Sequence, residues 1–125
     1  MGGWYDIFLN GTLRNYMGLK AHGATGAARA GQRLMIGPWY HDAVSFREGK
    51  AGDVSFAPGG CRNEEDEMLR WFDLTLKGVS NGLDREKPVK IFVMGENVWR
   101  DEDDRPLARA QNPHFHLHSG GVRIP

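Results

Sequence analysis

One cysteine, Cys61, is all that the 125 residues contain. No internal disulfide can therefore hold the fold, and so sparse a use of thiols leans towards a reducing compartment such as the cytoplasm. Long apolar runs are missing as well: the longest are a few residues, against the roughly 20 needed to span a bilayer. The first residues show no basic stretch followed by an apolar one, so neither a secretory leader nor a membrane partner is expected. Nor is either charge in excess. Sixteen Lys and Arg balance sixteen Asp and Glu, which removes the electrostatic footprint expected of a protein that binds nucleic acid or an anionic membrane. A small molecule or a short peptide fits this neutrality better. Internal repeats and low-complexity tracts are absent, and nothing in the sequence calls for a cofactor.

What is present is a change of period part-way along. Leu9, Leu13, Tyr16 and Met17 recur at helical spacing and predict an amphipathic helix over about 7–20, with Asp6 at its mouth. The Gly- and Ala-rich stretch 23–31 reads as a loop. Arg33-Leu34-Met35-Ile36 is a short apolar run suited to a strand buried in a parallel sheet, and Gly37-Pro38 stops it. Glycines and Pro58 punctuate 42–60, which reads as loop. A second helix is marked at both ends: Asn63 caps it, Glu64, Glu65 and Asp66 put negative charge in its first turn, and Lys77-Gly78 close it. Met68, Leu69, Phe72 and Leu76 form its expected buried stripe. From Pro88 the period becomes two, with Val89, Ile91 and Val93 on one face, and His114 to His118 alternate again before a Ser119-Gly120-Gly121 turn. The expected organisation is α/β, with one unit over 1–87 and a second over 88–125. The second would be the first strands of a β-sandwich, far short of the roughly 100 residues such a domain needs.

Two positions carry chemistry. Gly2-Gly3-Trp4-Tyr5-Asp6 and Ile36-Gly37-Pro38-Trp39-Tyr40-His41 each place a reactive side chain just past a strand-like stretch. An acid followed by a histidine is the second half of a Ser…Asp…His order, in which all three members sit on loops at the carboxyl edge of a parallel sheet. Asp6 taken alone is better read as a helix cap, and an acid at a strand-to-helix crossing can do both. His41 taken alone would be an ordinary surface histidine, but its place after the strand and the Gly-Pro-Trp turn makes it the candidate general base. Asp6 would hold Nδ1 of His41 while Nε2 takes the proton of an attacking serine. Trp4, Tyr5, Trp39 and Tyr40 flank the two, either lining an acyl pocket or packing helix ends on the sheet, and packing is preferred.

Four blocks in order make a resemblance specific. Gly3-Trp4-Tyr5-Asp6 with Thr12-Leu13-Arg14, Gly37-Pro38-Trp39-Tyr40-His41, Leu69-Arg70-Trp71-Phe72-Asp73 with Leu76-Lys77-Gly78, and Val93-Met94-Gly95 with Trp99-Arg100-Asp101 resemble the cocaine esterase and Xaa-Pro dipeptidyl-peptidase family of serine hydrolases, CocE/NonD. The resemblance covers nearly the whole chain. It implies the C-terminal part of an α/β-hydrolase domain followed by the beginning of a jelly-roll, both incomplete. It also implies that Asp6 and His41 are two members of the triad, with the serine upstream of Met1, and that the substrate is an acyl ester, an acylated amine or an Xaa-Pro peptide.

Other candidates fall away. Gly78-Val79-Ser80-Asn81-Gly82 matches the nucleophile-elbow pattern, but a helix precedes it and a strand follows, the reverse of what an elbow requires. Ser45, Ser55, Ser119 and Cys61 have no elbow context. His114, His116 and His118 share a strand face without a fourth ligand for zinc, and Asp101-Glu102-Asp103-Asp104 lacks the glycine and terminal glutamate of a calcium loop. No metal site is expected. The competing view, a non-catalytic remnant or interaction module, takes its support from the missing serine.

Overall fold

The apolar run predicted at Arg33–Ile36 forms a strand one residue later, and the rest of the fold is arranged around it. A computed structural model describes residues 1–111 and 113–115. In it the chain runs β1 (Gly2–Gly3), α1 (Leu9–His22), α2 (Gly26–Ala30), β2 (Leu34–Gly37), α3 (Ala43–Glu48), β3 (Lys50–Ala51), β4 (Val54–Ser55), α4 (Glu64–Lys77), a 3-10 turn at Leu83–Arg85, β5 (Val89–Val93) and β6 (Val98–Glu102). One sheet has the order β1-β2-β5-β6, the first three strands parallel and β6 antiparallel to β5. β3 and β4 make a small antiparallel pair. The architecture is mixed α/β, as the alternation of periods predicts.

Side-chain alternation gives the sheet two apolar faces. Leu34, Ile36, Val89 and Ile91 turn to one side, where Tyr16 of α1 is buried among them and Trp4, Leu9 and Leu13 pack around. Each such aliphatic side chain, taken fully from water, contributes roughly 1.5–3 kcal/mol. Phe92 turns to the other side and meets Phe56, Ala51 and Trp99. The register Leu34↔Val89 and Ile36↔Ile91 keeps like faces together across the parallel pair.

Four expectations need correction. The stretch 42–60 is not plain loop: Asp42 caps α3 by accepting from Val44 N–H at 2.6 Å, and Gly49 ends it in the left-handed region at φ 60°. Within 23–31, Thr25 likewise caps the short α2. β5 pairs with β2, so residues on the two sides of Pro88 share one sheet. The alternation at His114–His118 gives no strand at 113–115, and His116, His118 and Ser119-Gly120-Gly121 lie outside the described residues.

The last correction concerns α4. Its ends form as predicted, with Asn63 accepting from Glu65 N–H at 3.1 Å and Gly78 at φ 69°. Its stripe is nevertheless exposed: Leu69 is 58% and Leu76 76% accessible, with Met68 and Phe72 also open. Periodicity reports that a face is apolar, not that something covers it. Met68, Trp71 and Phe72 instead look onto a cleft of about 230 Å³ whose far side includes Met35, Leu83 and Pro88. Leu69→Gln and Leu76→Gln should therefore each change unfolding free energy by less than about 0.5 kcal/mol. A loss above about 2 kcal/mol in urea titration would show that this face is buried in solution.

Ion pairs tie the ends of these elements. Lys90–Asp101, Lys87–Asp103 and Lys20–Asp104 lie at 3.0, 3.0 and 2.8 Å, and Arg109 pairs with Glu102, so the acidic run 101–104 is taken up by basic side chains. The hydrogen bond from Arg70 holds the Glu86 carboxyl below its ordinary range, and the one from Lys20 does the same for Asp104. In these groups the ionised form is the favoured one in the fold.

Candidate active site

The parallel pairing of β1 with β2 decides where the two candidate residues, Asp6 and His41, fall. Parallel strands end at the same edge, and here the pairing is prolonged past both strands: Trp4 N–H donates to Gly37 O at 2.9 Å and Tyr5 N–H to Trp39 O at 3.0 Å. The chain then turns away on each side. Asp6 and His41 thus leave neighbouring strand ends at the same carboxyl edge, which is what their sequence positions predict.

Their side chains meet. Nδ1 of His41 lies 3.2 Å from Oδ2 of Asp6, while the other carboxylate oxygen, Oδ1, accepts from the backbone N–H of Phe8 at 2.8 Å. Asp6 therefore holds the turn that leads into α1, whose N-cap position is Phe8, and addresses the histidine at once. The two differ sharply in exposure, with the Asp6 side chain 7% and the His41 side chain 65% accessible. A carboxylate is an acceptor only, so in a hydrogen bond between the two Nδ1 is the donor. The pair opens on a hollow of about 300 Å³, lined also by Phe8, Thr12, Asp42 and Glu64.

Close packing behind the pair fixes the strand ends. Trp39 is fully buried, stacks on Phe46 with ring centroids 4.2 Å apart, and donates its indole N–H to Gly60 O at 2.7 Å. The indole of Trp4 donates to Phe92 O at 2.7 Å. Both tryptophans are packing residues, as preferred above. A Cβ on Gly37 would stand 2.5 Å from ring atoms of Trp39, and one on Gly3 only 1.9 Å from Trp39 O. The backbones of the two strand ends approach as closely as only glycine permits. Gly3→Ala should therefore destabilise the protein by about 1–3 kcal/mol or more, and NMR should show the His41 ring resonances shifted by the separation of the two ends. Unchanged stability together with unchanged His41 resonances would contradict this packing.

Among the described residues, Ser80, Ser45 and Ser55 lie at no strand-to-helix turn. Ser80 sits between the end of α4 and the 3-10 turn, in a loop held by Asn81, whose side chain donates to Arg70 O at 2.6 Å and accepts from Leu83 N–H at 3.2 Å. Ser45 is buried, its hydroxyl donating to the carbonyls of Tyr40 and Asp42. Ser55 lies on β4 and accepts from Ala57 N–H. Among the described residues no three His, Cys, Asp or Glu side chains converge as a metal site, and no helix is long and apolar enough to cross a membrane.

Comparison with known sequences bears on the same residues. The chain is 33% identical over 122 residues to the cocaine esterase of Rhodococcus sp. (strain MB1 Bresler), an alignment that takes in 96% of this chain and 20% of that protein. The match supports a CocE/NonD-like family fragment. Two mycobacterial relatives, from Mycobacterium bovis and Mycobacterium tuberculosis, are provisionally named serine esterases; each is 30% identical over 108 residues, covering 83% of this chain and 15% of the relative. The chain thus spans about a fifth of the length of the cocaine esterase that it matches. No protein-family model matches it.

Proposed function

We propose that Asp6 and His41 are the acid and the general base of a Ser-Asp-His triad in an ester-cleaving hydrolase, the serine being supplied by residues outside this chain. The observation that carries the reading is the Nδ1 to Oδ2 contact of 3.2 Å between side chains leaving adjacent parallel strand ends. The edge of the sheet then corresponds to the carboxyl edge of an α/β-hydrolase domain. The relatives' names support ester substrates, and none of them supports the Xaa-Pro peptide alternative.

Each group has a defined task. Nε2 of His41 takes the proton as the serine oxygen attacks the acyl carbon, and returns it to the departing alcohol; water then repeats the sequence to release the acid. Asp6 keeps the imidazole in the tautomer that leaves Nε2 free and stabilises the imidazolium between the two transfers. The test is to replace the matching segment of the cocaine esterase by this chain and to measure hydrolysis of an activated ester and of an Xaa-Pro anilide. Ester turnover that vanishes with His41→Ala and survives Ser80→Ala is expected, while the chain alone gives background only. Turnover indifferent to His41→Ala in a folded hybrid would refute the assignment.

A further inference from the structure

His41 is held by little. Its side chain is largely exposed, and its bond to Asp6 is at the long end of the normal range. A second contact comes from Phe8, whose ring lies edge-to-face with the imidazole, centroids 4.9 Å apart and planes at 78°. The backbone N–H of the same residue donates to Oδ1 of Asp6. One residue therefore touches both members of the pair, through its main chain on the acid and through its ring on the histidine. Within this chain the ring is not part of the core, Phe8 being 55% accessible.

We propose that Phe8 is a positioning residue for the pair, its ring holding the His41 imidazole in the plane in which Nδ1 meets the carboxylate. This rests on the reading of Asp6 and His41 as acid and base. The torsion that turns an imidazole about its Cβ–Cγ bond is broad and nearly two-fold, so an exposed ring with a single hydrogen bond can swing away from its partner. An edge-to-face neighbour restricts that swing. Aromatic pairs of this kind bias populations by about two- to tenfold. Main-chain and side-chain contributions are separable, because any substitution of Phe8 other than proline keeps the N–H that holds Asp6.

The tautomer of His41 reads the effect directly. In the 15N-labelled full chain at alkaline pH, the ring nitrogen shifts should show mainly Nδ1–H. Phe8→Leu, which keeps an apolar side chain but no ring, should raise the Nε2–H fraction about two- to tenfold with the melting temperature near that of the parent, and Phe8→Tyr should restore the parent ratio. Asp6→Ala should make Nε2–H dominant. An unchanged ratio in Phe8→Leu would overturn the role of Phe8, and so would a changed ratio seen only with a fall in melting temperature. If Asp6→Ala also leaves the ratio unchanged, the acid–histidine reading fails; if Asp6→Ala switches it and Phe8→Leu does not, only the positioning role does.

Discussion

Asp6→Asn should lower ester turnover by about 10⁴-fold in a hydrolase that carries this segment, a loss of the size produced when a triad histidine is locked in the wrong tautomer. The structure supplies the reason. Phe8 N–H donates to Oδ1 of Asp6, and in the asparagine variant it would hold the amide oxygen in that place. The amide NH₂ is then turned towards His41, whose Nδ1 must become the acceptor. Nε2 is left carrying the proton and cannot accept another. Substrate binding, which does not depend on that proton, should be little changed, so the loss belongs in kcat and not in KM. Steady-state kinetics of the hybrid enzyme measure the division directly; a loss below tenfold would mean that Asp6 only holds the turn into α1.

Trp39→Ala should cost about 3–5 kcal/mol of unfolding free energy, as expected for removing a fully buried indole. Three interactions go together: the stack on Phe46, the tilted contact with Trp99 at 5.7 Å and the hydrogen bond to Gly60 O. The last leaves a carbonyl without its partner, and the loop at Gly59-Gly60 is then held by the Trp99 indole through Gly59 O. Since Trp39 O also receives Tyr5 N–H, slackening here loosens the strand ends from which Asp6 and His41 project. The melting temperature should fall by roughly 10–20 °C. A fall of only a few degrees would show that the aromatic cluster is less closely packed than these distances imply.

How much of this is written in the sequence depends on the range of the interaction. The meeting of Asp6 with His41 was legible because strand ends, chain order and the Gly-Pro-Trp turn are local signals whose consequence follows from parallel pairing. The ends of α4 were legible for the same reason, each cap being satisfied within a few residues. Its uncovered face was not, since apolar spacing at Leu69 and Leu76 is the same whether or not anything packs there. β6 escaped notice because Arg100-Asp101-Glu102 carries charge expected of a turn. As an edge strand it can bear that charge, and Lys90 opposite Asp101 makes an ion pair of it. α3 left the plainest unread signal, an Asp cap and a terminal glycine around six residues. The contact of Phe8 with His41 depends on how α1 leaves the sheet, which no local pattern specifies.

Labelling of the serine by a fluorophosphonate tests the assignment most directly, because the probe reports the activated nucleophile and needs no particular substrate. In the cocaine esterase whose matching segment is replaced by this chain, labelling should be rapid. With His41→Ala it should fall at least 10³-fold, since the serine then lacks its base, while the melting temperature stays close to that of the parent hybrid. Equally rapid labelling with and without the imidazole would contradict the placing of acid and base in this chain.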